Sequence, residues 1–251
     1  MDRVKTEEYS RYIRYAEACT ANRVYPLSIA SGIREGDICT DGAGSVLFWH
    51  CCGFAYIPEP VSDRFLEEVY HQFLLGDTDR RFLLITDSEH IRAYYAACDK
   101  LQFSRRVEYT HSGILKQPAD PDGHFSIERI TADNIGRIRG RIIPSVFWGC
   151  DHAFLERGFG FIARKDDGFA ALAFSAAVSP DEADIGVETC EDFRHNGLAS
   201  YLSFRMCEEI IRQGRRPVWA HGETNEASRR TALRAGFVPD RVNTVIRRKT
   251  G

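Results

Sequence analysis

Downstream of residue 159 the hydropathy pattern changes period, and that change limits the folds open to the chain. Residues 159–163 and 169–178 are apolar stretches joined by Lys165-Asp166-Asp167-Gly168, whose Asp-Gly pair signals a hairpin. Pro180-Asp181-Glu182 turns the chain again, and a third stretch runs over residues 183–190. Three strands with tight turns form an antiparallel meander. From Leu198 the period becomes helical: Leu198, Ala199, Leu202, Met206 and Ile210 fall on one face of a helix that stops at Gly214. A strand at residues 218–221, a helix over 225–235 closed by Gly236, and a last hairpin from Phe237-Val238 and residues 243–248 complete the order. Strands and helices in that sequence describe a sheet covered by helices.

The preceding residues repeat a similar order. A strand over 125–130 leads into a helix over 131–139 capped by Thr131 or Asp133, and a short helix over 151–157 stops at Gly158. Further upstream, residues 6–20 read as an amphipathic helix, and residues 45–49 and 54–57 as strands joined through Cys52-Gly53. Pro58 and Pro60 end that ladder, and Ser62 caps a helix through Leu74. A buried strand at 82–85, a helix over 88–100 and a strand at 106–109 follow. The polar stretch Lys116-Gln117-Pro118-Ala119-Asp120-Pro121-Asp122-Gly123 is the best linker, which sets domains at 1–116 and 124–251. A chain of 251 residues has room for both.

Charge removes several function classes. Thirty-three Lys and Arg against 36 Asp and Glu leave a net charge of −3, so no global field holds a nucleic-acid backbone or an anionic membrane. No apolar run is long enough to span a bilayer, and residues 1–10 mix both charge signs without an apolar stretch, unlike a signal peptide. A cytoplasmic protein is expected. The eight cysteines show no Cys-x-x-Cys spacing and read as reduced, packed thiols. No metal site is expected: His50 beside Cys51 and Cys52 has suitable neighbours, but consecutive strand residues point to opposite faces.

The segment with the most chemistry is Glu191-Asp192-Phe193-Arg194-His195-Asn196-Gly197-Leu198-Ala199, between a strand and an amphipathic helix. Small residues at Gly197 and Ala199 let the main chain approach a ligand, and the free amides of a helix start attract phosphate, with Arg194 beside them. Alone this string also fits an ordinary helix entry. Downstream, Asn225-Glu226-Ala227-Ser228 is followed by Ala232 and Gly236-Phe237. Together with the meander, these strings resemble the GNAT N-acetyltransferase superfamily. Phe147-Trp148, Gly158-Phe159-Gly160-Phe161, Ile185-Gly186-Val187-Glu188-Thr189 and Pro217-Val218-Trp219 look like its two-part group, which includes proteins labelled zwittermicin-resistance-like. The likeness is good from Phe125 to about Phe237, and the first half matches only in element order.

That resemblance implies an α/β fold, α+β by other schemes: a three-layer α/β/α GNAT domain with a mixed, largely antiparallel sheet, preceded by a smaller GNAT-like half without cofactor. It implies acetyl-CoA as co-substrate and a small-molecule amine as acceptor, acted on by a monomer or homodimer. The backbone at Val187 and Thr189 would pair with the pantetheine arm. The amides of His195, Asn196, Gly197, Leu198, Ala199 and Ser200 would hold the pyrophosphate beside Arg194, with Asn225 and Ser228 near the pantetheine; Asn225 also reads as a plain helix cap. The family's general-acid Tyr is replaced here by Ala232, which leaves Ser228 or Tyr201 as donors, or none.

An amine of pKa about 10.4 costs about 4.6 kcal/mol to deprotonate at pH 7, so a base or water chain is needed. Asp184, Glu188 and His221 are the candidates, with Glu188 favoured because it lies between the two pantetheine positions; Glu223 is also close in the sheet. Trp148, Asp151 and Trp219 are candidate walls of the acceptor pocket, with His152 and Phe154 beside them, although aromatics at such spacing also build cores. Direct attack by the amine is expected, since no cysteine sits where an acyl-enzyme would need one. The competing readings are a non-catalytic acyl-CoA sensor and, less in keeping with the charge, an aminoacyltransferase using charged tRNA.

Overall fold

The computed structural model describes residues 1–121, 124–166 and 168–249, and the chain divides into two compact units. Unit 1 comprises Met1–Val107 with the residues from Arg241 onward; unit 2 is Glu108–Asp240. The end of the chain, expected in the second half, therefore belongs to unit 1. The physical reason is strand pairing: Thr244, Val245 and Ile246 face Thr86, Ile85 and Leu84 in antiparallel register. Asp122 and Gly123 of the linker and Asp167 of the hairpin turn lie outside the described residues.

Unit 1 contains β1 (Asp2–Arg3), a 3-10 segment (Thr6–Tyr12) running into α1 (Ile13–Ala18), α2 (Val24–Ala30), β2 (Gly36–Thr40), β3 (Val46–His50) and β4 (Phe54–Tyr56). Then come α3 (Asp63–Val69), β5 (Leu83–Thr86), α4 (Glu89–Tyr95), and β6 (Leu101–His111), which begins here. β2, β3 and β4 form an antiparallel meander, and β5 returns parallel to β4 after α3. The core is aromatic: Trp49 meets Phe73 edge-on at 5.2 Å and Phe82 at 5.8 Å. Burying each such ring contributes roughly 1.5–3 kcal/mol.

Two helix starts in this unit are closed by its own side chains. Ser62 caps α3 by accepting from the Phe65 amide, and Ser88 caps α4 through the Ile91 amide. Between them Glu59 accepts from the Val61 amide and the Ser88 hydroxyl. Pro58 and Pro60 bring no amide to this loop. All eight cysteines of the chain are free thiols.

Unit 2 contains β7 (Ser126–Arg129), α5 (Pro144–Trp148), α6 (Asp151–Arg157), β8 (Gly160–Lys165), β9 (Gly168–Val178) and β10 (Glu182–Thr189). α7 (Leu198–Arg212), β11 (Arg216–Gly222) and α8 (Glu226–Arg234) follow. The strand order is β11-β10-β9-β8-β7, antiparallel except that β10 and β11 run parallel. α5 packs on β9, and α7 lies against β8, β9 and β10. Phe174 of β9 organises the core. It sits opposite Gly160 on one neighbour and Gly186 on the other, where an added Cβ would come within 2.8 Å and 2.7 Å of it. Its ring meets Phe147 of α5 and Phe154 of α6 at 5.8 and 6.0 Å.

Two sequence expectations are corrected. The helix over 131–139 is only a 3-10 turn at Ile135–Arg137. Asn134 consumes the local hydrogen bonds, accepting from the Thr131 amide and donating to the Arg129 carbonyl, in competition with a helical ladder. The last hairpin is instead one strand, β12 (Phe237–Arg248), because Pro239 fits extended backbone and does not force a turn.

The C-terminal end of α7 is fixed by charge. Glu209, whose side chain is 7% exposed, accepts from Arg212, Gln213 and Arg129 of β7. These bonds, the Arg212 one foremost, lower its pKa to about 2. Stability from a depressed carboxylate is present above its ordinary pKa of 4.5 and is lost as pH falls toward 2. Glu209→Gln is expected to cost about 2 kcal/mol at pH 7, after discounting for the exposed arginines, and to flatten the acid limb between pH 4.5 and 2. Urea melts across that range measure it; an unchanged acid limb would refute the assignment.

Candidate functional site

The parallel ladder of β10 and β11 is short. Glu182, Ala183 and Asp184 pair with Arg216, Pro217 and Val218, and among the described residues the pairing ends there, while β10 continues to Thr189 and β11 to Gly222. At the same level the β9–β10 register shifts between Asp184 and Ile185: Asp184 faces Ala177, Ile185 faces Ser175, and Ala176 is the extra residue. A bulge increases local twist, which turns β10 away from β11. The closed end is fastened by the ion pair of buried Glu182 with Arg216 and by the Arg216 amide on the Asp181 carbonyl. The result is a two-strand fork with one free backbone edge on each prong.

Val187 and Thr189, the expected pairing positions, lie on the free part of β10. Thr189 Oγ1 is buried and has no hydrogen-bond partner. Cys190 follows directly, its thiol directed to the Phe169 carbonyl and its pKa raised, chiefly by burial.

Beyond Cys190 the chain prepares an open helix start. His195 (φ 69°) and Gly197 (φ 80°) both adopt left-handed backbone, so the main chain curls before α7 and its amides converge. No side chain caps this helix, and among the described residues the amides from His195 to Ser200 have no acceptor. A Cβ on Gly197 would approach only the Pro121 Cα, at 3.7 Å, so its requirement is the backbone angle. Arg194 is 55% exposed and bonded loosely to Glu191 at 3.5 Å. Asn196 anchors the curl by donating to the Phe193 carbonyl. Leu198 is core, while Ala199 and Ser200 are half-buried on the first turn.

The three candidate bases have different surroundings. Glu188, half-buried on the free part of β10, accepts through Oε2 from the amides of Ile142 (2.9 Å) and Arg141 (3.4 Å). Its Oε1 has no partner among the described residues. Gly140 makes this possible, since a Cβ there would lie 2.8 Å from the Glu188 Cγ. Asp184 is 3% exposed at the end of the ladder. His221 is equally buried, and both its ring nitrogens are engaged. Its Nδ1 lies 2.8 Å from the Gly222 carbonyl, which can only accept, so Nδ1 carries the proton and Nε2 accepts from the Tyr109 hydroxyl at 3.0 Å. Burial keeps Tyr109 protonated by raising its pKa.

The aromatics proposed as pocket walls are packed inside. Trp148 is fully buried and donates to the Ser175 carbonyl at 2.7 Å. Trp219 donates to Ser228 Oγ at 3.1 Å and packs on Phe237. Asp151 begins α6, half-buried, next to exposed His152. Asn225 caps α8 by accepting from the Ser228 amide. Ala232, at the expected general-acid position, is fully buried. Among the described residues no His, Cys, Asp or Glu cluster suits a metal ion, and no helix is long and apolar enough to cross a membrane.

The sequence reading missed the Gly140–Ile142 segment and Tyr109. The Gly140-Arg141 pair follows the expected helix, but nothing local couples Arg141 to Glu188, 47 residues away. Tyr109→Phe deletes the proton that His221 Nε2 receives and is expected to cost about 1–3 kcal/mol in a urea melt. No loss of stability would show that the pair contributes nothing.

The chain was compared with known proteins. The family model described as GNAT acetyltransferase matches residues 28–245. A GCN5-related N-acetyltransferase-like protein from Streptococcus suis 89/1591 superposes with TM-score 0.72 at 16% identity, covering 98% of this chain and 100% of that one. A GCN5-related N-acetyltransferase from Kribbella flavida gives 0.66 at 17%, covering 93% and 97%. A tandem GNAT protein from the clavulanic acid biosynthesis pathway gives 0.63 at 12%, covering 99% and 98%. No curated protein sequence matches. The structural neighbours carry the fold, the family model spans most of the sequence, and the chain belongs to the GNAT acetyltransferase family.

Proposed function

We propose that unit 2 transfers an acetyl group from acetyl-CoA to the amine of a small molecule by direct attack. The observation that carries this reading is the fork of β10 and β11 leading into an uncapped helix start. The open amides from His195 to Ser200 suit a pyrophosphate, and the free edge of β10 with the orphaned Thr189 hydroxyl suits a pantetheine arm. The co-substrate supplies the acetyl group as a thioester. Unit 1 we read as holding no CoA; Ser62 and Ser88 already occupy donors at the starts of α3 and α4. Net charge −3 supports a small acceptor rather than nucleic acid or membrane, and a cytoplasmic location is part of the proposal. A monomer or a homodimer fits this reading.

Glu188 is the base in this proposal. One carboxylate oxygen is fixed by two amides and the other is open, an oriented acceptor for the ammonium proton. His221, with both nitrogens bonded, and Asp184, inside the ladder, are the lesser candidates. Once the proton is gone the amine nitrogen attacks the thioester carbonyl, the carbon–sulfur bond breaks with sulfur leaving as thiolate, and the nitrogen gives its second proton to solvent. Ala232 has no proton to give; Ser228 Oγ accepts from Trp219 and keeps its own proton, so Ser228, half-buried Tyr201 or solvent would protonate the thiolate.

That same buried Ala232 favours a second reading, an acyl-CoA sensor without turnover. Release of free thiol from acetyl-CoA across an amine library decides between them. Binding with no thiol release would leave the sensor.

Two variants test the site. Glu188→Gln keeps an oxygen for the Ile142 amide while removing the base, so CoA affinity is expected to hold and turnover to fall roughly 10²–10⁴-fold, less at high pH. Full turnover at pH 7 would move the role to Asp184 or His221, or to water. Gly197→Ala is expected to cost about 1–2 kcal/mol in stability from its left-handed backbone and to weaken CoA binding by about tenfold or more. Calorimetric titration measures the second effect; unchanged affinity would contradict the phosphate role.

A further inference from the structure

The segment tethered to Glu188 carries a charge pattern that nothing in the fold consumes. The Arg141 amide donates to the Glu188 carboxylate, yet the guanidinium on the same residue makes no ion pair or hydrogen bond with it, or with any other described residue. Opposite charges on adjoining groups ordinarily close on each other, since a bidentate guanidinium–carboxylate contact is the strongest available to either. Here two backbone bonds hold Glu188 Oε2 while Oε1 and the guanidinium both stay open. Apolar side chains close by are exposed: Ile142 is 37% exposed and Val146, on α5, is 43% exposed. Pro144 starts α5 directly after this segment and limits its backbone freedom. A guanidinium on the tethered segment, an open carboxylate oxygen on β10 bonded to that segment, and exposed apolar side chains on the segment and on α5 thus lie close together in the chain's fold.

We propose that the acceptor is a zwitterion, an amino acid with an apolar side chain and a free carboxylate. This rests on the acetyl-transfer reading above and specifies its substrate. The substrate carboxylate meets Arg141, its ammonium meets Glu188 Oε1, and its side chain lies on Ile142 and Val146. The charges left unpaired in the free protein are then matched together, so either substrate group alone leaves one of them unmatched. An amine lacking the carboxylate loses the guanidinium contact, and a guanidinium with no anion gains nothing from it.

The test uses the full chain, acetyl-CoA and release of free thiol. Leucine, methionine and phenylalanine are compared with their carboxamides, and spermidine and an aminoglycoside serve as amines of other shape. Each is assayed with the unaltered protein and with Arg141→Gln. The expected result is turnover of the amino acids and a rise in their KM of about tenfold or more in Arg141→Gln, with the carboxamides unaffected by that substitution. Comparing the change across each pair cancels the difference in amine pKa between acid and amide. Equal effects on acid and amide, no effect on either, or turnover confined to spermidine or the aminoglycoside would overturn the zwitterion assignment and leave acetyl transfer standing. Acetyl-CoA binding without thiol release for any amine would overturn the transfer reading, and this inference with it.

Discussion

The parallel ladder of β10 and β11 stops at Asp184 and Val218, and the second unit is arranged around that stop. A parallel pair that kept bonding would satisfy both strands and leave nothing to offer a ligand. Two features prevent it. The extra residue at Ala176 shifts the register of β10 against β9, and the Glu182–Arg216 ion pair fixes the other end so that the divergence has a pivot. The unsatisfied edge is then a property of the strands themselves, held by buried contacts on both sides. The helix start that follows points its free amides from the end of the same strand, so backbone donors along one path serve both features.

The core tolerates this divergence because Phe174 bridges it. Glycine on each neighbouring strand removes the side chain that would contest the ring, and the ring supplies the apolar surface those glycines lack. Phe147 and Phe154 close over it from α5 and α6, which ties the helices bordering the Glu188 loop to the middle strand of the sheet. The loop position is thus set from two directions, by the Glu188 carboxylate at its tip and by packing at its base.

Elements with an unbroken period were legible in the sequence: the meander, α7 with its apolar face, and α8 ended by Gly236. The helix α2 was not, because all seven of its residues are buried and no polar face survives to reveal a period. The expected helix over 131–139 failed for the opposite reason: its pattern was helical, but the Asn134 side chain bonds the backbone on both sides. At the site, the residues of the phosphate-type loop were readable because backbone angle and amide supply are local matters. The Glu188 tether and the Tyr109–His221 bond, 46 and 112 residues apart, depend on tertiary placement that no local pattern encodes.

His195 holds left-handed backbone with a full side chain, where glycine would sit without strain. An L-residue in that region costs about 1–2 kcal/mol, a loss the folded chain carries permanently. The residue's own preference is for other conformations, so its neighbours must hold it there, among them Asn196, which donates to the Phe193 carbonyl. Glycine at the same place would relieve that cost in the folded chain while widening the conformations open to it when unfolded, and the two effects oppose each other. The curl before α7 is kept by its surroundings against a residue that is uncomfortable in it.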